Sequence, residues 1–380
     1  MRARGYLIMA AVMLAAAAPG GCGAPPGLAV RADGVLVKDG RPWRGIGVNY
    51  FDAFYRTLKD PGDTSYERGF RALAERKIPF ARLMCGGFWP AEMRLYREDR
   101  EAYFRRLDAV VRAAERHGVG LVPSLFWHVS TVPDLVGEPC DQWGNPASKT
   151  HAFMREYTRQ VVVRYRASPA VWGWEFGNEY NLPADLPNAT EHRPPVVPQL
   201  GTPESRSARD ELSHEMVRTA FAEFAKEVRR HDPHRIVTSG NAFPRPTAWH
   251  QRAEKTWTAD SPEQSAEMLL GDQPDPMNAV SVHWYKEPAG RLEAAMAAAA
   301  RVRKVLFVGE FGVPGPATAE ARKRFAEMLA ALVAHRVPMA ALWVYDYAGQ
   351  DGEWNVTVTS DRAYQLEAVA EANARLRAPD

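Results

Sequence analysis

Eight short apolar runs alternate along this chain with amphipathic segments, and this alternation limits its fold more than any other feature. Each run is of strand length and is bounded by polar turn residues, and the segments between carry apolar residues three and four positions apart. The runs lie at residues 44–50, 78–84, 118–127, 170–179, 235–240, 279–285, 305–310 and 338–345. Eight strand–helix units in a chain of 380 residues predict an α/β fold, the (β/α)8 TIM barrel.

A doubly wound open sheet is the alternative for alternating strands and helices. It would usually carry a glycine-rich phosphate turn before an early helix. Gly45 and Gly47 lie inside the first run, and no helix start follows them. Residues 28–43 alternate apolar and polar positions and contain two Asp-Gly pairs, which predicts a small N-terminal β-hairpin cap over one end of the barrel.

The first 22 residues have the pattern of an export signal. A basic start is followed by the apolar run 6–18, which is too short to span a bilayer, and then by small residues. Cys22 follows a degenerate lipoprotein cleavage site that lacks the usual aliphatic residue. We predict a signal peptide over residues 1–22, a single domain over 28–380, and a secreted protein or a cell-envelope lipoprotein tethered through Cys22.

The composition excludes several classes of partner. A net charge of +2 gives no reason to expect nucleic acid or an anionic membrane surface. No later segment is apolar enough to cross a membrane, so we expect no transmembrane helix in the mature chain, and we expect a monomer. Cys85 and Cys140 could form a disulfide or remain free thiols in an oxidising compartment.

Two of the eight runs end in a glutamate, Glu179 on the fourth and Glu310 on the seventh. Strands three apart around an eight-strand ring face each other, so the two carboxylates are predicted to meet across the mouth of the barrel, where such folds place their chemistry. Two facing carboxylates are the minimal equipment for hydrolysing a glycosidic bond.

The motifs around these glutamates read Trp-Glu-Phe-Gly-Asn-Glu at 174–179 and Gly-Glu-Phe-Gly at 309–312. They resemble the two signatures of clan A glycoside hydrolases, particularly family 5, the cellulase and mannanase family, and the resemblance extends from about Gly27 to the end. It implies a retaining β-glycoside hydrolase that cleaves β-linked gluco- or manno-type poly- or oligosaccharides without a cofactor or metal. By this resemblance, Glu179 is the general acid/base and Glu310 the nucleophile.

The resemblance also implies a set of substrate-binding residues at the strand ends. Asn178 would bind the sugar 2-hydroxyl, Arg82 would keep the nucleophile ionised, and Tyr285 would hydrogen-bond to it. The remaining matches are His283 of the His-x-Tyr pair, the subsite histidine His128, the sugar platform Trp343 and, more weakly, Asn49. Tyr180 departs from the family, which usually has proline after the acid/base.

Simpler interpretations of these residues remain open. Arg82 could form a structural ion pair with Glu175, which we expect to point into the barrel below the site, and the histidines could be core residues. Two long excursions, 181–204 and 241–273, are predicted to wall a cleft. We expect two or three of six loop tryptophans to stack on sugar. The six are Trp89, Trp127, Trp143, Trp249, Trp257 and Trp354.

Three other functions compete with the leading one. An exo-acting β-glycosidase of the same clan would differ only in cleft shape. A metal-dependent barrel hydrolase would use His128, His283 and Glu310, although the chain has no paired metal-ligand motif. A non-catalytic carbohydrate-binding barrel would have lost part of the glutamate, arginine and His-x-Tyr set, which is complete here.

Overall fold

The computed structural model describes residues 26–377, and it confirms the predicted barrel. Eight parallel strands surround a common interior, with the helices outside. In chain order the barrel strands are β4 (Gly45–Asn49), β5 (Phe80–Met84), β6 (Gly120–Phe126), β7 (Gly173–Gly177), β8 (Ile236–Thr238), β9 (Ala279–Trp284), β10 (Val305–Phe311) and β11 (Met339–Leu342). The predicted signal peptide and Cys22 lie outside the described residues.

Helices follow the barrel strands, and each buries one face against the sheet or a neighbouring helix. They are α1 (Tyr55–Lys59), α2 (Tyr66–Glu75), α3 (Arg94–Glu98), α4 (Arg100–His117), α5 (Thr131–Val136), α6 (Lys149–Tyr165), α7 (His214–His231), α8 (Ala248–Glu254), α9 (Pro262–Gly271), α10 (Ala289–Arg301), α11 (Ala319–Ala334) and α12 (Tyr364–Arg377). None of the helices within residues 26–377 is long and apolar enough to cross a membrane.

The N-terminal cap is an antiparallel sheet of three strands, one more than a hairpin needs. The strands β1 (Leu28–Val30), β2 (Leu36–Lys38) and β3 (Arg41–Pro42) are paired in chain order. Asp39 and Gly40 both have positive φ, which is the type I′ turn that Asp-Gly favours. The sheet packs Leu28 and Leu36 onto residues that begin the barrel strands, so it closes the end opposite the strand exits.

Side chains close the barrel between β8 and β9, which form no continuous ladder with each other. Asn278 accepts a hydrogen bond from the Val237 amide through Oδ1 at 2.8 Å. Gln273 accepts from Ser239 Oγ at 2.8 Å and donates to the Ser281 carbonyl. These amides replace the missing backbone pairs and fix β9, the strand that carries His283, relative to β8.

The two excursions differ in structure. Residues 181–204 form an irregular segment with short 3-10 turns, as expected for a proline-rich stretch, whereas residues 241–273 contain α8 and α9. Ser261 and Gln264 form a capping box with Pro262 at the first turn of α9, a sequence signal that marks a helix start inside this predicted loop.

Cys85 and Cys140 are both buried and both free. Of the two states that the sequence leaves open for them, the structure therefore has the thiols. Burial raises the pKa of the Cys85 thiol to about 12, so this cysteine is inert at neutral pH.

Candidate active site

Arg82 lies at the centre of the barrel mouth and joins most of the predicted site residues. It extends from β5, is completely buried, and donates from Nε to Glu175 Oε1 at 2.7 Å and from Nη1 to Glu310 Oε1 at 2.8 Å. The structural ion pair and the contact to the predicted nucleophile are therefore both present. Burial would lower the pKa of Arg82, but the two carboxylates raise it, so the guanidinium stays charged.

Two asparagines complete the shell around this guanidinium. Asn49, at the end of β4, accepts from Arg82 Nη1 at 3.0 Å and donates to the Gly309 carbonyl at 2.9 Å. Asn178 accepts from Arg82 Nη2 at 2.9 Å through Oδ1. Asn49 therefore ties β4 to β10, and Arg82 fixes which end of the Asn178 amide is the acceptor.

Glu310 is held at both oxygens. Oε1 accepts from Arg82, and Oε2 accepts from the Tyr285 hydroxyl at 2.6 Å. Only 6% of the Glu310 side chain is exposed. Burial raises the pKa of Tyr285, so its hydroxyl stays protonated and donates. These two donors fix the direction of the Glu310 carboxylate.

Glu179 lies across the mouth from Glu310 and is more open, with 32% of its side chain exposed. Strand β7 ends at Gly177, two residues earlier than the sequence predicts, and Glu179 has a left-handed backbone with φ of 54°. Such a conformation is uncommon for a side chain of this kind and is found at functional sites. A carboxylate oxygen of Glu179 lies within 4.8 Å of one of Glu310.

His283 bridges the two glutamates. Its Nδ1 lies 2.8 Å from Glu179 Oε1 and 3.3 Å from Glu310 Oε2. Burial, the largest single effect, would raise the pKa of Glu179, but the pKa is lowered overall, and the hydrogen bond and charge of His283 contribute to this lowering. The charges of Arg82 and Arg245 act in the same direction.

Glu179, His283 and Glu310 are close enough to one another to hold a metal ion. The donor set does not favour one, because both oxygens of Glu310 already accept hydrogen bonds and the Arg82 cation lies 2.8 Å from one of them. His128, the third ligand of the metal-dependent alternative, lies outside this cluster.

The aromatic side chains separate into packing residues and rim residues. Trp143 is completely buried and Trp127 is 5% exposed, so neither offers a ring face to a sugar. Trp127 instead supports two site residues, with Arg82 4.5 Å above its ring and Trp343 stacked beside it. Trp343 is half-buried and donates from Nε1 to Gln350. Trp257 is 55% exposed, while Trp89, Trp249 and Trp354 are half-buried.

His128 lies beside the cleft, apart from the two glutamates. Its ring packs against Phe88 and Trp89, with centroids 4.8 and 5.7 Å away, and Nδ1 lies 3.3 Å from Ser130 Oγ. Burial, with a smaller effect of the Arg206 charge, lowers the pKa of His128 to about 4. At neutral pH this histidine is therefore uncharged.

Arg245 is a site residue that the sequence does not reveal. It follows β8, donates from Nε to the Leu182 carbonyl at 2.7 Å, and its charge acts on Glu179. The Glu179 amide also donates to the Gly240 carbonyl, so the segment after β8 is tied to the segment after β7. A lone arginine between two prolines carries no signal for such a position.

A family model and curated relatives match this chain. The model described as Cellulase (glycosyl hydrolase family 5) covers residues 49–349. The probable mannan endo-1,4-beta-mannosidase F of Aspergillus flavus is 41% identical over 83 residues, which are 20% of this chain and 17% of that protein. The chain thus aligns with under a fifth of the length of this relative.

Solved structures share the fold. An endo-1,4-beta-mannanase from Rhizomucor miehei superposes with a TM-score of 0.67 and 15% identity, over 92% of this chain and 99% of its own. An exo-beta-1,4-mannosidase from an Opitutaceae bacterium superposes with a TM-score of 0.60 and 17% identity, over 92% of this chain and 63% of its own. With the family model spanning most of the chain and the same barrel in these structures, the chain belongs to glycosyl hydrolase family 5.

Proposed function

We propose that this protein is a retaining β-glycosidase in which Glu310 is the nucleophile and Glu179 the general acid/base. The observation that carries the proposal is the pair of carboxylates with oxygens within 4.8 Å across the mouth. Retaining enzymes hold their carboxyl groups about 5–5.5 Å apart, whereas inverting enzymes need ~6.5–9.5 Å to admit a water.

The environments of the two glutamates support different roles. Glu310 is buried and accepts from Arg82 and Tyr285, as an ionised nucleophile requires. Glu179 is more exposed and can reach a leaving group. The charge of His283 is one of the effects that lower the Glu179 pKa, and burial acts in the opposite direction. A neutral imidazole therefore favours the protonated form of Glu179 more than a charged one does.

The reaction follows as a double displacement. Glu310 attacks the anomeric carbon, the glycosidic bond breaks, and Glu179 gives its proton to the leaving oxygen. Glu179, now ionised, takes a proton from a water that attacks the same carbon, and the bond to Glu310 breaks. Asn178, whose amide is oriented by Arg82, would donate to the sugar 2-hydroxyl, and Trp343 and His128 would contact neighbouring parts of the sugar chain.

We propose β-1,4-linked mannose polymers or oligomers as the first substrate class to test, because the curated relatives that match in sequence are mannan endo-1,4-beta-mannosidases. A β-linked glucose polymer is the second. Internal and terminal cleavage are distinguished by product size: an endo-acting enzyme releases a ladder of oligosaccharides, and an exo-acting enzyme releases one small product.

The test is hydrolysis of mannan, cellulose and aryl β-glycosides by the wild type and two variants. Glu310→Gln should abolish turnover of every substrate. Glu179→Ala should retain slow turnover of aryl glycosides with good leaving groups, which need no acid, and added azide should yield a β-glycosyl azide. Glu101→Gln, an exposed helix position, is the matched control. Full activity of Glu310→Gln would exclude the proposal, and so would loss of wild-type activity on chelation, which would favour a metal enzyme.

We also propose that residues 1–22 direct export. The basis is the basic start and the apolar run that precede Cys22. Mass spectrometry of the protein from its native cells distinguishes the outcomes, because lipidation would leave a modified cysteine as the first residue, and simple cleavage would leave an unmodified N-terminus.

A further inference from the structure

Small polar side chains line the barrel interior below the two glutamates. Ser124, Glu175, Thr238 and Ser281 come from four strands, and each is completely buried. Glu175 and Thr238 are direct neighbours across β7 and β8. A barrel interior is usually filled by branched apolar side chains, so a layer of polar side chains in this position is unusual and needs a physical explanation.

Four polar atoms in or next to this layer have no hydrogen-bond partner within residues 26–377. They are Glu175 Oε2, Thr238 Oγ1, Ser281 Oγ and His283 Nε2. Buried polar groups are nearly always hydrogen-bonded, to protein or to ordered water. Several such atoms together indicate a site for buried water.

Gly309 lies beside two of these atoms. A Cβ on this glycine would lie 3.0 Å from His283 Nε2 and 3.3 Å from Ser281 Oγ. The two unpartnered atoms therefore approach the same side of Gly309 and are near enough to each other to share one water. Any side chain at position 309 would crowd the histidine that contacts both catalytic glutamates.

The two ring nitrogens of His283 are linked, because in a neutral imidazole one of them carries the proton and the other accepts a hydrogen bond. Nδ1 faces an oxygen of Glu179 and an oxygen of Glu310, and a proton on Nδ1 would be donated to these acceptors. In a neutral imidazole Nε2 is then an acceptor and requires a donor. The other charged groups around the site are Arg82, Glu175 and Arg245.

Resting on the function proposed above, we propose that an ordered water beside Gly309, held by the Ser281 hydroxyl, donates to His283 Nε2 and fixes the neutral Nδ1–H tautomer. Ser281 is in this view a positioning residue. The Nδ1–H group occupies Glu179 Oε1, so the acid proton of Glu179 is confined to Oε2, the oxygen that is left to face the leaving group.

The test is ¹⁵N NMR of histidine-labelled protein, with the His283 signal assigned by its loss in His283→Gln. The wild type should show a protonated Nδ1 and an unprotonated Nε2. In Ser281→Ala and in Gly309→Ala the proton should move toward Nε2, and kcat/KM should fall by about ten- to a hundredfold, as when an outer partner of an oriented histidine is removed. Thr158→Ala is the matched control, since Thr158 is a buried, unpartnered hydroxyl on α6, and it should change neither quantity.

A wild-type Nε2–H tautomer would overturn the proposal, and so would an unchanged tautomer in Ser281→Ala. A high-resolution crystal structure with no water within hydrogen-bond distance of Nε2 would also overturn it. Because the NMR signal does not depend on turnover, a wild type that hydrolyses no glycoside would refute the proposed function while the tautomer still tests the water site.

Discussion

Arg82 and Glu310 form an ion pair in which Nη1 lies 2.8 Å from Oε1 and no more than 6% of either side chain is exposed. The same guanidinium binds Glu175, which is also buried. One cation thus serves two carboxylates, a functional one at the mouth and a supporting one below it. Removing the cation would leave both charges in a low-dielectric interior, where an unpaired carboxylate is costly.

We therefore predict that Arg82→Met affects both stability and activity. Loss of a buried partner costs about 3–5 kcal/mol of unfolding free energy, and kcat should fall by at least about a hundredfold because the nucleophile loses its fixed positive neighbour. The unfolding free energy and the kcat of Arg82→Lys should lie between those of the wild type and of Arg82→Met. Lysine keeps the charge but cannot bind both glutamates and both asparagines at once. Urea unfolding and steady-state kinetics measure the two effects. A stable, fully active Arg82→Met would contradict this account.

Tyr285→Phe should lower activity with little change in stability. The variant removes the 2.6 Å hydrogen bond to Glu310 Oε2 and nothing else. A hydrogen bond to a charged group contributes about 1.5–3 kcal/mol, which corresponds to roughly a ten- to hundredfold loss in kcat/KM. Tyr96→Phe, which removes a hydroxyl that binds Gln160 outside the barrel, is the control and should keep full activity. Equal rates for the two variants would show that Tyr285 does not act on Glu310.

The positions of the strand ends are predictable here, because all eight strands of a barrel of this kind end at the same face. The apolar runs locate β7 and β10, and eightfold geometry then requires that Glu179 and Glu310 face each other. The same logic fails where the chain leaves the strand. Glu179 has a positive φ just beyond the end of β7, and its amide donates to the Gly240 carbonyl on another segment. No local pattern contains that contact.

The contacts that a side chain makes are less predictable from the sequence than the position of its residue in the fold. Sequence alone allows Arg82 either a structural or a functional partner, and the structure has both because its fork reaches two carboxylates. Trp127 is a residue of the type that stacks on sugars, yet its ring packs against Arg82 and Trp343 instead. Arg245 acts on Glu179 only because two loops that are distant in sequence meet. Each of these outcomes is decided by tertiary packing.

His128 should make the protein less stable in acid. The folded state lowers its pKa from 6.5 to about 4, so the folded state favours the neutral ring. Its contribution to stability is complete above pH ~6.5 and is lost as the pH falls toward about 4, by at most a few kcal/mol. His128→Gln should therefore unfold with a flatter pH dependence across that window. His234→Gln, at an exposed position, is the control, and identical pH dependences for the two variants would contradict the prediction.

Arg206 anchors the segment that follows Glu179, and its loss should release that segment. It donates to both oxygens of Asp134, at 2.6 and 2.7 Å, and contacts Asp210, with side chains only 4%, 1% and 7% exposed. Arg206→Met leaves two buried aspartates without their cation, at a cost of about 3–5 kcal/mol.

The matched control is Arg209→Met, because 60% of the Arg209 side chain is exposed in its pair with Asp141, and water screens such a pair. Limited proteolysis gives the local measurement. Arg206→Met should be cut faster within residues 181–204. If this segment walls the cleft, as the sequence predicts, the KM for long oligosaccharides should rise more than the KM for aryl glycosides, because the two glutamates stay in place. If both variants are cut at the wild-type rate, Arg206 does not hold this segment.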